Sequence, residues 1–293
     1  MSADTGNHTG SNLDDDHVYL SLAEGHDDGS DARWAFGTGF EDPLYGVDTT
    51  VPEGVDAGEL AATCVALADD ALVSAQRLAE WCTRAPELEE EVALANIGLD
   101  LLGQARLLYA RAGQVDGTGR GEDAYAYVRD AGDFRNVQLA ELPIGDFAFS
   151  IARLLALSGW RLAHLQRLIS HPDPVLSAIA AKGVKELTYH RQYAAEWAVR
   201  LGDGTEESHR RMSTAMNQVA PYLGELFTAY DVQGEVRSEV VEVLRQVTEA
   251  AGLPLPRVGP SNGGGRDGQH TEHLAPLLAE LQSVARAHPE ATW

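Results

Sequence analysis

Apolar residues recur at helical spacing through almost the whole chain from Gly58 onward, and this period is the strongest constraint on the fold. Four segments are about 25 residues long or more, which at ~1.5 Å per residue predicts helices of roughly 40 Å. Helices of that length suit an extended antiparallel bundle better than a packing of short crossed helices. The predicted segments are 59–84, 87–111, 146–170 and 174–201.

Residues with strong positional preferences mark the ends of several predicted helices. Pro86 suits the first turn of the second helix, and Gly113 is expected to end that helix. Asp173 and Pro174 predict the N-cap and the first turn of the fourth helix. Further helices are predicted at 122–130, at 205–230 with a bend at Pro221, at 235–251, and after Thr271, which is expected to cap the last helix.

The N-terminal part of the chain does not follow the helical pattern and divides into two segments. Residues 1–33 are rich in Asp, Gly, Ser and His, which predicts a disordered acidic tail. Residues 34–57 are predicted to form an extended arm that either packs on its own domain or binds a partner. The helical domain is predicted to span 58–293. The apolar anchors of the arm are Trp34, Phe36, Phe40, Leu44 and Tyr45.

Net charge and cysteine usage argue against several classes of protein. The formal charge of −23 is unfavourable for nucleic-acid binding, which requires a basic surface. No run approaches ~20 apolar residues, and the N-terminus has no secretory pattern, so neither a membrane span nor a signal is predicted. Cys64 and Cys82 form neither a disulfide framework nor a zinc motif, which favours a cytoplasmic location.

Ferritin-like bundles of four long helices can hold two irons with two Glu residues and two Glu-x-x-His pairs. In the second predicted helix the only interior carboxylate is Asp100, and three residues later stands Gly103, which has no ligand group. Asp100 lies between Asn96 and Gln104 at spacings of four residues. We interpret this polar stripe as a buried hydrogen-bond network rather than a metal-binding face.

The fourth predicted helix contains the stretch KELTYHRQY, in which Glu186 and His190 are spaced to share one helix face. Tyr189 occupies the i+3 position that a Glu-x-x-His pair requires, and His190 lies about 100° further round the helix. Glu186 and His190 could bind one metal at i, i+4 spacing. Alternatively, Lys182 neutralises Glu186 without a metal, which is the more common state of a half-buried glutamate.

The other two long helices do not complete a set of iron ligands. The first offers Asp69, Asp70 and Glu80, while the third has Ser158 and Gly159 at its centre and no interior acid. Oxygen activation requires two irons held by a nearly complete ligand set. We therefore expect an all-α fold, a ferritin-like four-helix bundle with additional C-terminal helices, that is not redox-competent by itself.

Long and specific similarities occur in the stretches APELE, LANIGLDLLGQAR, KGVKELTYHRQYAAEW and HTEHL. Through them the chain resembles the structural, C-type subunits of bacterial phenylacetyl-CoA 1,2-epoxidases over about residues 60–293. The resemblance implies a ferritin-like subunit that has lost most iron ligands and has no catalytic residue or cofactor of its own. The incomplete ligand set described above agrees with this resemblance. The positions that would be vestigial remains of an iron site are Asp100, Gly103, Glu186, Tyr189 and His190.

The resemblance also implies partners and a reaction. A homologous catalytic subunit would hold the di-iron site and bind the CoA thioester. A small bridging subunit and a reductase with FAD and an iron–sulfur centre would complete the system. Oxygen and electrons from NADPH would then convert phenylacetyl-CoA to its ring epoxide, with the present chain as a structural subunit.

Two other functions remain open from the sequence. The first is a self-sufficient ferritin-like metalloenzyme with a degenerate site at Asp100, Glu186 and His190. The second is a helical binding module that has no oxygenase partner. The metal content of the purified chain and its behaviour on co-expression distinguish these functions from a structural subunit.

The C-terminal stretch QHTEH contains two histidines at i, i+3 spacing. His270 and His273 could bind zinc, with Glu272 assisting. Thr271 followed by an acid is typical of a helix start, so the four residues are expected to have a structural or interface role.

The lysine-poor, acidic composition predicts adaptation to high salt. Only Lys182 and Lys185 are lysines among 22 basic residues, and the net charge is −23. Because salt screens the repulsion within such a surface, we expect the melting temperature to rise on going from low to molar salt. Thermal unfolding followed by circular dichroism measures this, and an unchanged or lower melting temperature in molar salt would contradict it.

Overall fold

The structure is a computed structural model that describes residues 44–229, 235–260 and 263–291. Within these ranges it contains helices, turns and one isolated bridge between Gly264 and Gln269, and it has no β-strand. The helices of eight residues or more are α1 (Ala57–Ala79), α2 (Leu88–Val115), α3 (Phe147–Leu168), α4 (Pro174–Gly202), α5 (Glu206–Val219), α6 (Glu235–Ala250) and α7 (Leu274–Leu281).

The four longest helices pack in two pairs, α1 with α2 and α3 with α4, and α2 also contacts α4. Helix α3 is the centre of the domain, because α5 and α6 pack on it as well and nearly every residue from Ala148 to Leu165 is buried. A helix that is buried all round is mostly apolar, and the buried polar side chains of α3, such as Ser150, Arg153 and Arg161, are hydrogen-bonded within the protein. The predicted all-α, ferritin-like bundle with additional C-terminal helices is confirmed.

Side-chain caps fix the starts of several helices. The carboxylates of Asp56, Asp146 and Asp173 accept hydrogen bonds from the backbone N–H three residues later, at 2.8–2.9 Å. Thr205 accepts the corresponding bond at the start of α5. Each such cap stabilises a helix by about 1 kcal/mol, and the predicted starts at Asp173 and Thr205 are confirmed.

Several predicted helix boundaries were wrong. Helix α1 ends at Ala79 rather than 84, because the chain turns there and Thr83 adopts a positive φ of 68°. The segment 122–130 forms only a π-helical turn over Ala124–Val128. Pro221 does not bend one continuous helix but lies inside a 3₁₀ turn, Ala220–Tyr222, that directly follows the end of α5 at Val219.

Gly113 does not end α2, contrary to the sequence prediction, since the helix continues to Val115. A Cβ at Gly113 would lie 1.9 Å from the carbonyl oxygen of Arg120, so the glycine is required by the close approach of the following loop. The backbone N–H of Gly119 also donates to the carbonyl of Gly113 at 3.1 Å. The glycine is therefore a packing residue inside the helix.

The predicted acidic tail, residues 1–33, and the arm residues Trp34, Phe36 and Phe40 lie outside the described residues. Of the described arm residues, Leu44 packs against the core, while Tyr45 is exposed. Further along the arm, the Thr49 carbonyl accepts a 2.7 Å hydrogen bond from Arg111. The described part of the arm is thus attached to its own domain. Cys64 is buried and Cys82 exposed, and both are free thiols.

Two glycines of α2 make a matched pair for testing the packing at its C-terminal end. Gly113→Ala brings its Cβ against Arg120, and we expect it to lower the free energy of unfolding by about 1–3 kcal/mol. Gly103→Ala meets no atom within 4 Å and should raise that free energy by roughly 0.5–1 kcal/mol through helix propensity. Urea unfolding measures both, and equal effects of the two variants would contradict the packing role of Gly113.

Candidate functional site

The predicted vestigial residues of α2 and α4 meet across the interface of these two helices. His190 Nε2 lies 2.9 Å from Asp100 Oδ2, and the imidazole is fully buried while Asp100 is partly exposed. The pair joins the middle of α2 to the middle of α4. Because Asp100 is hydrogen-bonded to Nε2 of His190, the two side chains form a polar link between the helices rather than a free ligand pair.

Glu186 has its own partners one helical turn away from this link. Gln104 of α2 donates from Nε2 to Glu186 Oε2 at 2.8 Å, and Lys182 pairs with Glu186 Oε1 on α4. The ion pair suggested by the sequence is therefore formed. The other end of the Gln104 amide accepts a 3.0 Å hydrogen bond from Arg161 of α3. One glutamine thus connects α2 with both α3 and α4.

The structure corrects the predicted polar stripe at one position. Gln104 is buried and Asp100 partly buried, and both take part in hydrogen bonds across helices. Asn96, by contrast, is exposed to solvent. The stripe turns outward toward the start of α2 because residues four apart on a helix are rotated by about 40°, so Asn96 points about 80° away from Gln104.

Gly103 and Tyr189 stand where a Glu-x-x-His pair would have its histidine, and both lie at the surface of the helix pair. The Tyr189 side chain is 51% exposed, and its ring lies 6.4 Å from the His190 ring. Gly103 is partly buried, with no atom within 4 Å of where a Cβ would be. On α4 the i+4 residue, His190, therefore faces the bundle interior together with Glu186, while the i+3 residue faces outward.

A cavity of about 30 Å³ lies at the centre of the bundle, beside His190, Asp70, Arg153 and Arg161. This volume has room for one or two water molecules. Burial and the nearby Arg77 lower the pKa of Arg153 to about 9, so the guanidinium remains charged at neutral pH. Arg161 is also buried, and it donates to the carbonyl of Leu67 at 2.9 Å.

The residues at this centre do not fit a pair of iron ions. Two bridged metals stand ~3.5–4 Å apart and require several carboxylates around them. Here two guanidinium groups border the cavity, and the carboxylate of Asp70 is paired with Arg266. Among residues 44–229, 235–260 and 263–291, no three His, Cys, Asp or Glu side chains are grouped so as to hold a metal ion.

Sequence reasoning did not foresee the role of the two adjacent aspartates of α1. Asp70 accepts two hydrogen bonds from Arg266, at 2.9 and 2.6 Å, and one from the Val137 N–H at 2.9 Å. Asp69 pairs with Arg129 and accepts from the Arg135 N–H at 2.7 Å. The two carboxylates therefore hold the loop before α3 and the segment before α7 against the bundle.

The C-terminal stretch QHTEH packs against another buried carboxylate, Glu141. His270 Nδ1 lies 2.6 Å from Glu141 Oε1, and the Thr271 N–H and hydroxyl both donate to Oε2 at 2.7 Å. The prediction that Thr271 caps the last helix was wrong. Helix α7 begins at Leu274 with His273 as its N-cap, because Thr271 is engaged by Glu141 instead.

The two histidines of this stretch are not arranged as a zinc site. Both ring nitrogens of His270 are engaged, since Nε2 lies 2.9 Å from the carbonyl oxygen of Phe134. The His273 carbonyl accepts from Arg77 at 3.2 Å, and Glu272 is exposed. Within the described residues, this stretch therefore attaches the C-terminal segment to the bundle.

Long helices, interior polar pairs and a cationic centre define a ferritin-like helical protein whose own residues do not fit a di-iron site. Residues 48–293 match the family described as phenylacetic acid catabolic protein, and the chain belongs to that family.

A similar protein is the C-type subunit of the 1,2-phenylacetyl-CoA epoxidase of Escherichia coli (strain K12), which is 42% identical over 247 residues. The alignment covers 80% of this chain and 99% of that protein. The resemblance seen in the sequence is thereby confirmed. None of the described helices is long and apolar enough to cross a membrane.

The His270–Glu141 contact predicts a pH dependence of stability. Burial lowers the pKa of His270, but the hydrogen bond and charge of Glu141 outweigh it, so the pKa lies above its ordinary 6.5. A raised pKa means that protonated His270 stabilises the fold below about pH 6.5 and that this contribution is lost as pH rises through the folded-state value.

We therefore expect the free energy of unfolding of the wild type to fall more steeply between about pH 6 and pH 9 than that of His270→Gln. Urea titrations at several pH values measure the two slopes. Parallel slopes would show that the imidazole charge does not contribute.

Proposed function

We propose that this chain is the non-catalytic structural subunit of a multicomponent di-iron monooxygenase that epoxidises the ring of phenylacetyl-CoA in aerobic phenylacetate catabolism. Membership of the family and similarity to a protein named as an epoxidase subunit support this assignment. In this proposal the chain binds a homologous catalytic subunit and keeps the helices of that subunit in position. The complex operates in the cytoplasm.

The observation that carries the non-catalytic assignment is the charge at the bundle centre. Arg161 lies buried between α3 and α2, and Lys182 neutralises Glu186 from one helical turn away. A metal ion entering this region would face fixed positive charge and would have to displace existing partners of the carboxylates. The interior is therefore organised to be stable without a metal.

The chemistry then belongs to the partners. The di-iron site is expected in the homologous catalytic subunit, and the FAD and iron–sulfur centre are expected in the reductase. The proposed assembly also includes a small bridging subunit. This chain contributes no catalytic group. Its proposed role is to bind the catalytic subunit through a rigid apolar surface, which a stable interface between subunits requires.

The test is co-expression of this chain with the catalytic subunit from the same source. We expect the two to co-purify, with iron and reductase-dependent epoxidation of phenylacetyl-CoA only in preparations that contain the catalytic subunit. Omitting this chain should lower the yield or turnover of the catalytic subunit at least about tenfold.

Two outcomes would contradict the proposal. If the chain purified alone turns over substrate and binds about two irons, it is the self-sufficient metalloenzyme. If it stays alone on co-expression, it is a binding module of another system.

A matched control is Arg161→Gln, which keeps a hydrogen-bond donor but removes the charge and should not create oxygenase activity in the isolated chain.

A further inference from the structure

The small cavity at the centre of the bundle is bordered by side chains from each of the four longest helices. Asp70 of α1, Leu101 of α2, Arg161 of α3 and His190 of α4 line it. Its volume of about 30 Å³ is enough for one or two water molecules and too small for a larger ligand. A molecule bound there contacts all four of these helices at once.

One nitrogen of the fully buried His190 ring has no hydrogen-bond partner within the part of the chain that the structure describes. The other nitrogen, Nε2, lies 2.9 Å from Asp100 Oδ2, and a carboxylate only accepts hydrogen bonds. The hydrogen of the neutral ring is therefore on Nε2, which leaves Nδ1 as an acceptor. Because buried polar atoms in native proteins are nearly always hydrogen-bonded, Nδ1 requires a donor.

Hydrogen-bond donors border the same cavity. Arg153 and Arg161 of α3 line it, and a guanidinium group carries N–H donors and no acceptor. Ser74 and Ser158 line the cavity as well. A molecule that both donates and accepts can therefore join an imidazole acceptor on α4 to a guanidinium donor on α3. Water has both capacities, and a buried water typically makes about three hydrogen bonds to such groups.

The charges around the cavity favour a neutral ligand. A cation would be repelled by the guanidinium groups of Arg153 and Arg161. An anion would be attracted by them, but it would also meet the Asp70 carboxylate and the lone pair of His190 Nδ1, which offers no hydrogen. Cavities that stay dry are lined by apolar groups alone, which is not the case here.

We infer that the central cavity binds an ordered water molecule that donates a hydrogen bond to His190 Nδ1 and accepts one from the Arg161 guanidinium. The cavity has room for a second water beside it. The site belongs to this chain alone, so its test is independent of the proposed function.

The bound water completes a polar network across three helices. Asp100 of α2 is hydrogen-bonded to His190 of α4, and the water continues from His190 to Arg161 of α3. Arg161 donates to Gln104 Oε1 at 3.0 Å, and the amide of Gln104 donates to Glu186 on α4 at 2.8 Å. Ferritin-like bundles hold their metals in the core between facing helices. In this chain a water molecule has the corresponding connecting role.

X-ray crystallography of the purified chain tests the site directly. At a resolution that shows ordered water, we expect density in the cavity within hydrogen-bond distance of His190 Nδ1. Crystals soaked in bromide and crystals under xenon pressure are the controls, because bromide reveals an anion site and xenon reveals a dry apolar cavity. We expect neither atom in the cavity. Finding bromide or xenon there, or no density at all, would overturn the proposal.

Nitrogen NMR measures the hydrogen-bond role of each ring nitrogen of His190 in solution. His171 is the internal reference, since its Nδ1 accepts a backbone hydrogen bond from Asp173 at 3.0 Å. At a pH where both rings are neutral, we expect the hydrogen of His190 on Nε2 and an Nδ1 resonance close to that of His171. An Nδ1 that carries the hydrogen, or that resonates as a nitrogen without a donor, would contradict the proposed water.

Discussion

The pairing of buried carboxylates with donors from distant parts of the chain is the interaction on which the rest of the structure depends. Asp69 and Asp70 of α1, together with Glu141, are almost wholly buried. A carboxylate without partners in such surroundings costs several kcal/mol, so each one requires its arginine, histidine or backbone N–H to be in place. Once these partners are bound, the loop before α3 and the segment around His270 have one position on the bundle.

The same principle explains why the fold remains intact although its residues do not fit a metal site. In a di-iron bundle the interior carboxylates are neutralised by the bound cations, whereas here Lys182, Arg161 and Gln104 provide the compensating charge or hydrogen bonds. Without Lys182 and Gln104, the partly buried Glu186 would have no compensating partner. These contacts also connect three helices, so they stabilise the packing that a bound metal stabilises in a di-iron bundle.

Sequence reasoning was accurate for features that neighbouring residues determine, and it failed for features that depend on contacts outside the local helix pattern. The long helices and the caps at Asp173 and Thr205 follow from periodicity and neighbouring residues, and they were predicted correctly. Gly113 and Thr271 were misread because their partners, Arg120 and Glu141, do not belong to the local helix signal. The Asp70–Arg266 contact spans 196 residues, a distance over which one sequence carries no pairing information. The Lys182–Glu186 pair could be predicted from the sequence because both residues lie on one helix, four positions apart.

Interior charges that are matched by the chain's own side chains have a consequence for how such a subunit is made. A protein that needs a cation to neutralise its core matures only as fast as that cation is delivered, and it unfolds when the supply fails. The Lys182–Glu186 and Arg161–Gln104 contacts are encoded in the polypeptide and form as it folds. In the proposed assembly this subunit reaches its binding-competent shape independently of iron delivery, and it can be present before its metal-dependent partner is complete.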